Sequence, residues 1–277
     1  MSNPPDLEPL LKRFFGFDAF RPLQEEIVRD SLAGRDVLAL LPTGGGKSLC
    51  FQLRALAGEG LTVVVSPLIA LMKDQVDSLQ ASGVPATYLA SSLHAEQASE
   101  RFRELMRRSY RLLYVAPERL MLPGTLGALE ELGVGLFAID EAHCISEWGH
   151  DFRPEYRQLA LLHQRFPRTP MMALTATATE RVRGDIIAQL RLRDPACYLA
   201  SFNRPNLVYR VLSKKKPHQQ LLAFARERPD QSGIIYCQAR RTAERVAERL
   251  NQGGVPAVAY HAGMDAAERD GNPELFI

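Results

Sequence analysis

The sequence predicts an α/β fold, with a parallel sheet covered by helices on both faces and a second unit of the same kind after it. Three observations predict it. Short apolar runs alternate with longer amphipathic stretches along the chain. A glycine-rich turn, L-P-T-G-G-G-K-S, follows the first apolar run and opens onto a helical pattern. An acidic pair, Asp140-Glu141, closes a later apolar run. The length of 277 residues fits one large domain or two ordinary ones, and 46% hydrophobic with 24% charged residues excludes a disordered or fibrous chain.

Strands are expected at 36–41, 62–66, 112–116, 135–140 and 171–175, and helices at 23–33, 47–57, 70–82, 95–108 and 179–190. The strand runs are short and continuously apolar, as strands buried on both faces are, and the helical runs carry an apolar stripe. Together they make a doubly wound domain over 1–200. After the irregular S-F-N-R-P-N-L the alternation restarts, with 207–212 extended, helices at 218–228 and 241–252, and strands at 233–237 and 256–260, so a partial second domain occupies 201–277. The basic triplet Lys214, Lys215, Lys216 is expected to be solvated loop.

Thirty-four basic against thirty-two acidic residues leave a net charge of +2, which excludes nucleic-acid binding driven by a global positive field but not a local basic groove. Cys50, Cys144, Cys197 and Cys237 lie far apart with no C-x-x-C pair, so they are expected to be small core residues of a reducing compartment, and no zinc is expected. No apolar run approaches the ~18 residues of a membrane span, and the N-terminus has no signal-peptide pattern. A cytosolic protein without membrane contact is expected.

Leu41 to Ser48 sit where a buried strand should end and a helix begin. Gly44, Gly45 and Gly46 let the backbone wrap close around phosphates and aim successive N–H groups at them, beside the positive end of the following helix. Lys47 would neutralise phosphate charge, and the Ser48 hydroxyl would ligate Mg²⁺. Leu41 stands where the general phosphate-loop pattern has glycine, and Pro42-Thr43-Gly44 is the opening found in helicases. Asp140 would hold the metal, while Glu141 would orient or deprotonate the attacking water. Upstream, F-F-G-F-D-A-F-R-P-L-Q offers Gln24, which can pair with the N6 and N7 edge of adenine, and Arg21 or an aromatic such as Phe17 to cover the base. Phe14, Phe17 and Phe20, spaced by threes, equally fit one apolar face of a helix.

These residues, with S-P-L-I-A-L-M-K-D-Q-V, Y-V-A-P-E-R-L, D-E-A-H-C-I-S-E-W-G-H-D-F-R-P-E-Y, A-L-T-A-T-A-T, F-N-R-P-N-L, G-I-I-Y-C-Q-A-R and Y-H-A-G-M, resemble the RecQ-type DNA helicases of superfamily 2. The match spans Phe15 to Met264, and the extended acidic block is its most specific part. The resemblance implies an α/β fold with a RecA-like P-loop NTPase parallel sheet and an incomplete second RecA-like domain. It implies ATP and Mg²⁺ as ligands and single-stranded and partly duplex DNA as partner. The implied activity is ATP-dependent 3′-to-5′ unwinding in DNA repair and recombination, in a bacterial-type cytoplasm at the nucleoid.

The same resemblance assigns adenine contact to Phe17, Arg21 and Gln24, and coupling of hydrolysis to domain movement to Thr175 and Thr177, which otherwise fit a strand end and a helix cap. It makes Cys144 to Tyr156 an aromatic-rich loop sensing single-stranded DNA, with Trp148, His150, Phe152 and Arg153 on the DNA side. Trp148, Phe152 and Tyr156 recur every four residues, as on a helix face, but Gly149 and Pro154 oppose a continuous helix. The blocks at 66–76 and 114–120 would track the DNA backbone, though both also fit ordinary strand-to-helix turns. The family's later A-F-G-M-G and Q-x-x-G-R-A-G-R blocks, the latter carrying the arginine finger, do not occur, and Pro273 stands between the matching Arg269 and Phe276 where the family has glutamine. The expectation is a truncated helicase, with slow ATP turnover and a marginally stable second half. The alternative is an ATP- and single-stranded-DNA-binding module with little or no unwinding. An unrelated P-loop motor would leave the extended acidic block unexplained.

Overall fold

In the computed structural model, which describes residues 5–90, 93–201 and 206–264, the chain divides into two units, Met1–Arg204 and Pro205–Ile277. The F-N-R-P stretch at 202–205, and Arg269, Pro273 and Phe276, lie outside the described residues.

The first unit is built on seven strands: β1 (Val37–Leu40), β2 (Leu61–Val65), β3 (Ala86–Leu89), β4 (Leu112–Val115), β5 (Val134–Ile139), β6 (Met171–Thr175) and β7 (Ala196–Leu199). They pair in the order β3-β4-β2-β5-β6-β1-β7, and every pairing is parallel. Two helices, α1 (Glu8–Phe15) and α2 (Gln24–Leu32), precede β1, and the crossovers that parallel strands need run through α3 (Lys47–Ala57), α4 (Ile69–Ala81), α5 (Ala95–Met106), α6 (Pro117–Leu120), α7 (Pro123–Leu132), α8 (Pro154–Arg157), α9 (Leu162–Arg165) and α10 (Glu180–Leu190).

The strand pleat divides the core in two. Val37 and Ala39 of β1 point into a cluster with Leu11, Ile27, Phe51 and Met72, from α1 to α4. Leu38, between them, points into the opposite cluster with Leu105, Leu129, Tyr156 and Ile186. Each strand is therefore apolar at successive positions, which is why five of the seven were legible as uninterrupted runs.

The other two strands, β3 and β7, are four-residue segments that lie at the two edges of the sheet and follow Pro85 and Pro195. Their reading A-T-Y-L and A-C-Y-L contains too little aliphatic surface to stand out. Helices α1 and α7 were also not anticipated. Gly124 and Gly127 give α7 a loop-like composition, yet Pro123 starts it well and Leu126 and Leu129 bury its inner face.

The second unit corrects the expectation of a strand-bearing domain. Its described residues form α11 (Pro217–Arg226) and α12 (Arg240–Gln252), and the segments expected as strands at 207–212, 233–237 and 256–260 join no ladder. Val211 and Tyr236 are almost fully exposed. A parallel strand is stable only when paired and covered on both faces. Here the two helices cover each other, through Val246, Ala247 and Leu250, rather than a sheet.

At the amino end of the sheet one carboxylate ties three strands together. Asp36, with its side chain 1% exposed, accepts hydrogen bonds from the Met171 N–H (2.8 Å) and the Arg193 N–H (2.7 Å) and lies 3.3 Å from His163 Nε2. Its own carbonyl accepts from the Ala196 N–H at 2.9 Å. Burial by itself would raise its pKa, but the His163 side chain and the two N–H donors bring it down from 3.8 to about 2.

A folded pKa below the unfolded one stabilises the protein above the unfolded value, and this contribution disappears as the pH falls through the folded one. Asp36→Asn should therefore cost about 2 kcal/mol at neutral pH. Denaturant melts should show the deficit shrinking as the pH drops from about 4 toward 2. A deficit that does not change with pH would contradict the assignment.

Candidate functional site

The carboxyl edge of the sheet gathers the candidate residues because β6 lies between β1 and β5. Leu40 pairs with Thr175, and Ile139 with Ala173, so the segments leaving the three strands begin at one level. The loop after β1 carries the glycines, that after β5 the acidic pair, and Thr175 ends the strand between.

Gly44 and Gly46 have φ of 76° and 78°, which favours glycine. The Gly45 N–H donates to the Pro42 carbonyl at 2.8 Å, closing the turn, and a Cβ on Gly45 would press on that oxygen. Gly46 caps α3, whose first residues are Lys47 and Ser48. A Cβ on Gly46 would collide with the Gln24 amide nitrogen. The loop is thus a cradle of backbone N–H groups at a helix start, the geometry that receives phosphate. Thr43 is exposed beside it, and Lys47 and Ser48 are half-buried. The Ser48 hydroxyl accepts a hydrogen bond from Gln75 Nε2 at 3.2 Å.

Gln24 is buried but turned toward the loop rather than outward. Its Oε1 accepts from the Arg21 N–H at 2.9 Å, and its Nε2 faces the Gly45 and Gly46 carbonyls at 3.4 and 3.2 Å. The Arg21 guanidinium donates to the Gly44 carbonyl. Both residues therefore brace the glycine loop, and reading a base would require Gln24 to exchange these bonds. Phe17 is half exposed, and Phe14 and Phe20 pack against the first core cluster.

Asp140 is nearly buried, and its Oδ1 accepts from the Glu141 N–H at 3.0 Å. Burial, then the neighbouring Glu141 charge, pushes its pKa up to about 6, against Lys47 and His143. Such a carboxylate fits a cation partner, and with Ser48 and the glycine cradle the residues fit a metal-bound nucleoside triphosphate. Among the described residues no group of three His, Cys, Asp or Glu side chains is placed to hold a metal by itself, and no helix is long and apolar enough to cross a membrane.

Glu141 adopts a left-handed backbone (φ 47°), uncommon for a non-glycine residue, which turns its side chain toward His143. His143 Nδ1 lies 3.2 Å from Glu141 Oε2 and 2.8 Å from Thr175 Oγ1. Thr175 Oγ1 in turn accepts from the Thr177 N–H at 3.2 Å. The His143 bond holds the Glu141 carboxyl below the ordinary range in spite of burial, and Lys47 adds to it. His143 was not among the expected site residues, although it completes D-E-A-H; nothing in its spacing reveals that it bridges two strands.

The segment after His143 is a loop, as expected. A short 3₁₀ turn covers Ala142–Ile145, and the next helix starts at Pro154. Tyr156 is buried, and its hydroxyl donates to the Asp140 carbonyl at 3.1 Å. Trp148 is 58% exposed, with the Arg181 guanidinium 3.3 Å from its ring centroid. His150 stacks on His143 at 4.2 Å, and Phe152 lies under Arg157. Arg153 is engaged inside the loop, donating to Asp151 and, at 2.9 Å, to the Pro67 carbonyl. Its cation thus connects the aromatic loop to the start of the 66–76 block.

A profile of the DEAD/DEAH box helicases matches residues 21–185, more than half of the chain and the region that holds every one of these groups except Phe14, Phe17 and Phe20. The chain belongs to the DEAD/DEAH box helicase family. Within it the similarity runs to RecQ-type members. It is 49% identical over 261 residues to the ATP-dependent DNA helicase RecQ of Pasteurella multocida, covering 94% of this chain and 41% of that protein. It is 43% identical over 281 residues to the RecQ-like DNA helicase BLM of Xenopus laevis, covering 97% and 21%. The structure of Mycobacterium smegmatis helicase Lhr bound to ssDNA and AMP-PNP superposes with a TM-score of 0.63 at 18% identity, covering 94% of this chain and 38% of that one, a likeness of fold. The chain thus spans about two fifths of the length of its Pasteurella relative.

Replacing His143 with alanine removes the donor that holds the Glu141 carboxyl below its ordinary range. Carbon-13 NMR of the Glu141 carboxyl should show its titration moving to higher pH in His143→Ala. An unmoved midpoint would contradict the role assigned to the histidine.

Proposed function

We propose that this helicase-family chain is an ATP-driven motor of the RecQ type, moving 3′ to 5′ on single-stranded and partly duplex DNA in repair and recombination, at the nucleoid of the cytoplasm. The observation that carries the reading is His143 Nδ1, within reach of both Glu141 and Thr175 at the same sheet edge as the glycine cradle. It joins the residue suited to handle water to the strand end suited to report the state of the site.

Mg–ATP, when bound, would supply the phosphoryl group and a metal charge that offsets the charge developing on it. On the protein side, the glycine-loop N–H groups and Lys47 would hold the phosphates, and Ser48 and Asp140 would hold the metal. Glu141, its pKa lowered by His143, orients water and takes its proton. Thr43, and Phe17 with Arg21 and Gln24, flank the place of the nucleotide, the last two also stiffening the loop. Thr175 and Thr177 carry the signal from β6. Trp148 offers an exposed ring for base stacking, worth about 1–3 kcal/mol per base, with His150, Phe152 and Arg153 around it. Residues 201–277 would contribute part of a second motor domain.

A second reading, favoured by the strandless second unit among the described residues, is that the 277-residue chain binds ATP and single-stranded DNA with little strand separation. Robust unwinding by this chain alone would refute it.

Lys47→Ala should abolish nucleotide binding. Glu141→Gln should retain it while hydrolysis falls by about 10²–10⁴-fold. Equilibrium binding of a fluorescent ATP analogue and single-strand-stimulated ATPase check both. Unchanged affinity in Lys47→Ala would overturn the site.

A further inference from the structure

Ser48, assigned above to the metal, is joined to three polar side chains that the motor chemistry described above does not use. Ser48 is the second residue of α3, and Gln52 lies one turn further along the same helix. Gln75 projects from α4, and Tyr114 from β4. Gln75 Nε2 donates to Ser48 Oγ at 3.2 Å. Gln75 Oε1 accepts twice, from Gln52 Nε2 at 2.9 Å and from the Tyr114 hydroxyl at 3.2 Å. Gln52 Nε2 also donates to the Tyr114 oxygen at 3.2 Å.

The arrangement has a direction. Tyr114 is 2% exposed, and burial holds its phenol protonated, so it remains a donor. With the Gln52 N–H and the Tyr114 hydroxyl both donating to its oxygen, the Gln75 amide cannot turn unless those two partners turn with it, so the three side chains hold one another in register. Its nitrogen is therefore kept toward Ser48. A serine hydroxyl has two acceptor lone pairs and one proton. With one lone pair taken by Gln75, the other and the proton remain for a cation and a phosphate.

We propose that Gln75 is a positioning residue for the metal ligand Ser48, held in its working orientation by Gln52 and Tyr114. The proposal rests on Ser48 being a metal ligand of the nucleotide site. It also gives the helix of the 66–76 block a direct polar link to that site.

The test uses the full chain and a fluorescent ATP analogue, titrated with Mg²⁺ and, separately, in EDTA. Gln75→Met keeps the side-chain volume and removes the donor. It should raise the Mg²⁺ concentration for half-maximal nucleotide binding by about five- to tenfold, the equilibrium worth of one hydrogen bond, and leave the affinity in EDTA within twofold. Tyr114→Phe, which preserves the core, should raise it by roughly two- to threefold. In a Ser48→Ala background Gln75→Met should add nothing.

Equal weakening with and without Mg²⁺, an unchanged Mg²⁺ midpoint, or full additivity with Ser48→Ala would overturn the proposal. If Gln75→Met fails to fold by circular dichroism, Tyr114→Phe decides alone, and an unchanged midpoint there overturns it. If the wild-type chain binds the analogue with no Mg²⁺ dependence, the metal-site reading fails instead.

Discussion

A parallel sheet buried on both faces leaves polar chemistry only at the ends of its strands, and the rest of this structure follows from that constraint. Between those ends every β1, β4 and β6 residue is buried, with no place for a charged group. The amino end is closed by Asp36, whose carboxylate is saturated by two N–H donors and a histidine. The carboxyl end gathers the glycine-loop N–H groups, Lys47 and the Asp140-Glu141 pair. One edge thus holds the sheet together, and the other is available for ligands.

The electrostatics of the two edges differ accordingly. Asp36 is driven down to about 2 by its partners. Asp140, buried and beside the Glu141 charge, is driven up to about 6. Glu141 and Asp140 are adjacent in sequence yet shifted in opposite directions, because His143 reaches only Glu141 at short range. That separation lets one carboxylate serve a metal while the other stays ionised for water.

The central strands and the glycine loop were legible in the sequence because burial on both faces writes continuous apolar runs, and close backbone approach writes glycine. The edge strands β3 and β7 were not, since each is only four residues long and two of the four are Ala and Thr or Ala and Cys rather than large aliphatic residues. The extended segments after residue 206 misled for the converse reason: V-Y-R-V-L and G-I-I-Y-C have strand composition but form no strand, since composition does not supply a sheet to join. At the site, Lys47, Ser48, Asp140 and Glu141 were readable from motif chemistry. His143, Gln75 and Gln52 were not, because their roles lie in which other side chains the fold brings to them. Gln24 and Arg21 were found at the site, but facing the loop carbonyls, a geometry fixed by the turn at Gly44 to Gly46.

The most direct measurement is amide hydrogen exchange, resolved to short segments, with and without a non-hydrolysable Mg–ATP analogue. Nucleotide held at the carboxyl edge should protect 43–48, 140–144 and 175–177 together, while the amino-edge segments around Asp36, 168–171 and 193–196 stay unchanged. Protection at the amino edge instead, or in the glycine loop without 140–144 and 175–177, would contradict a site shared by the three strand ends.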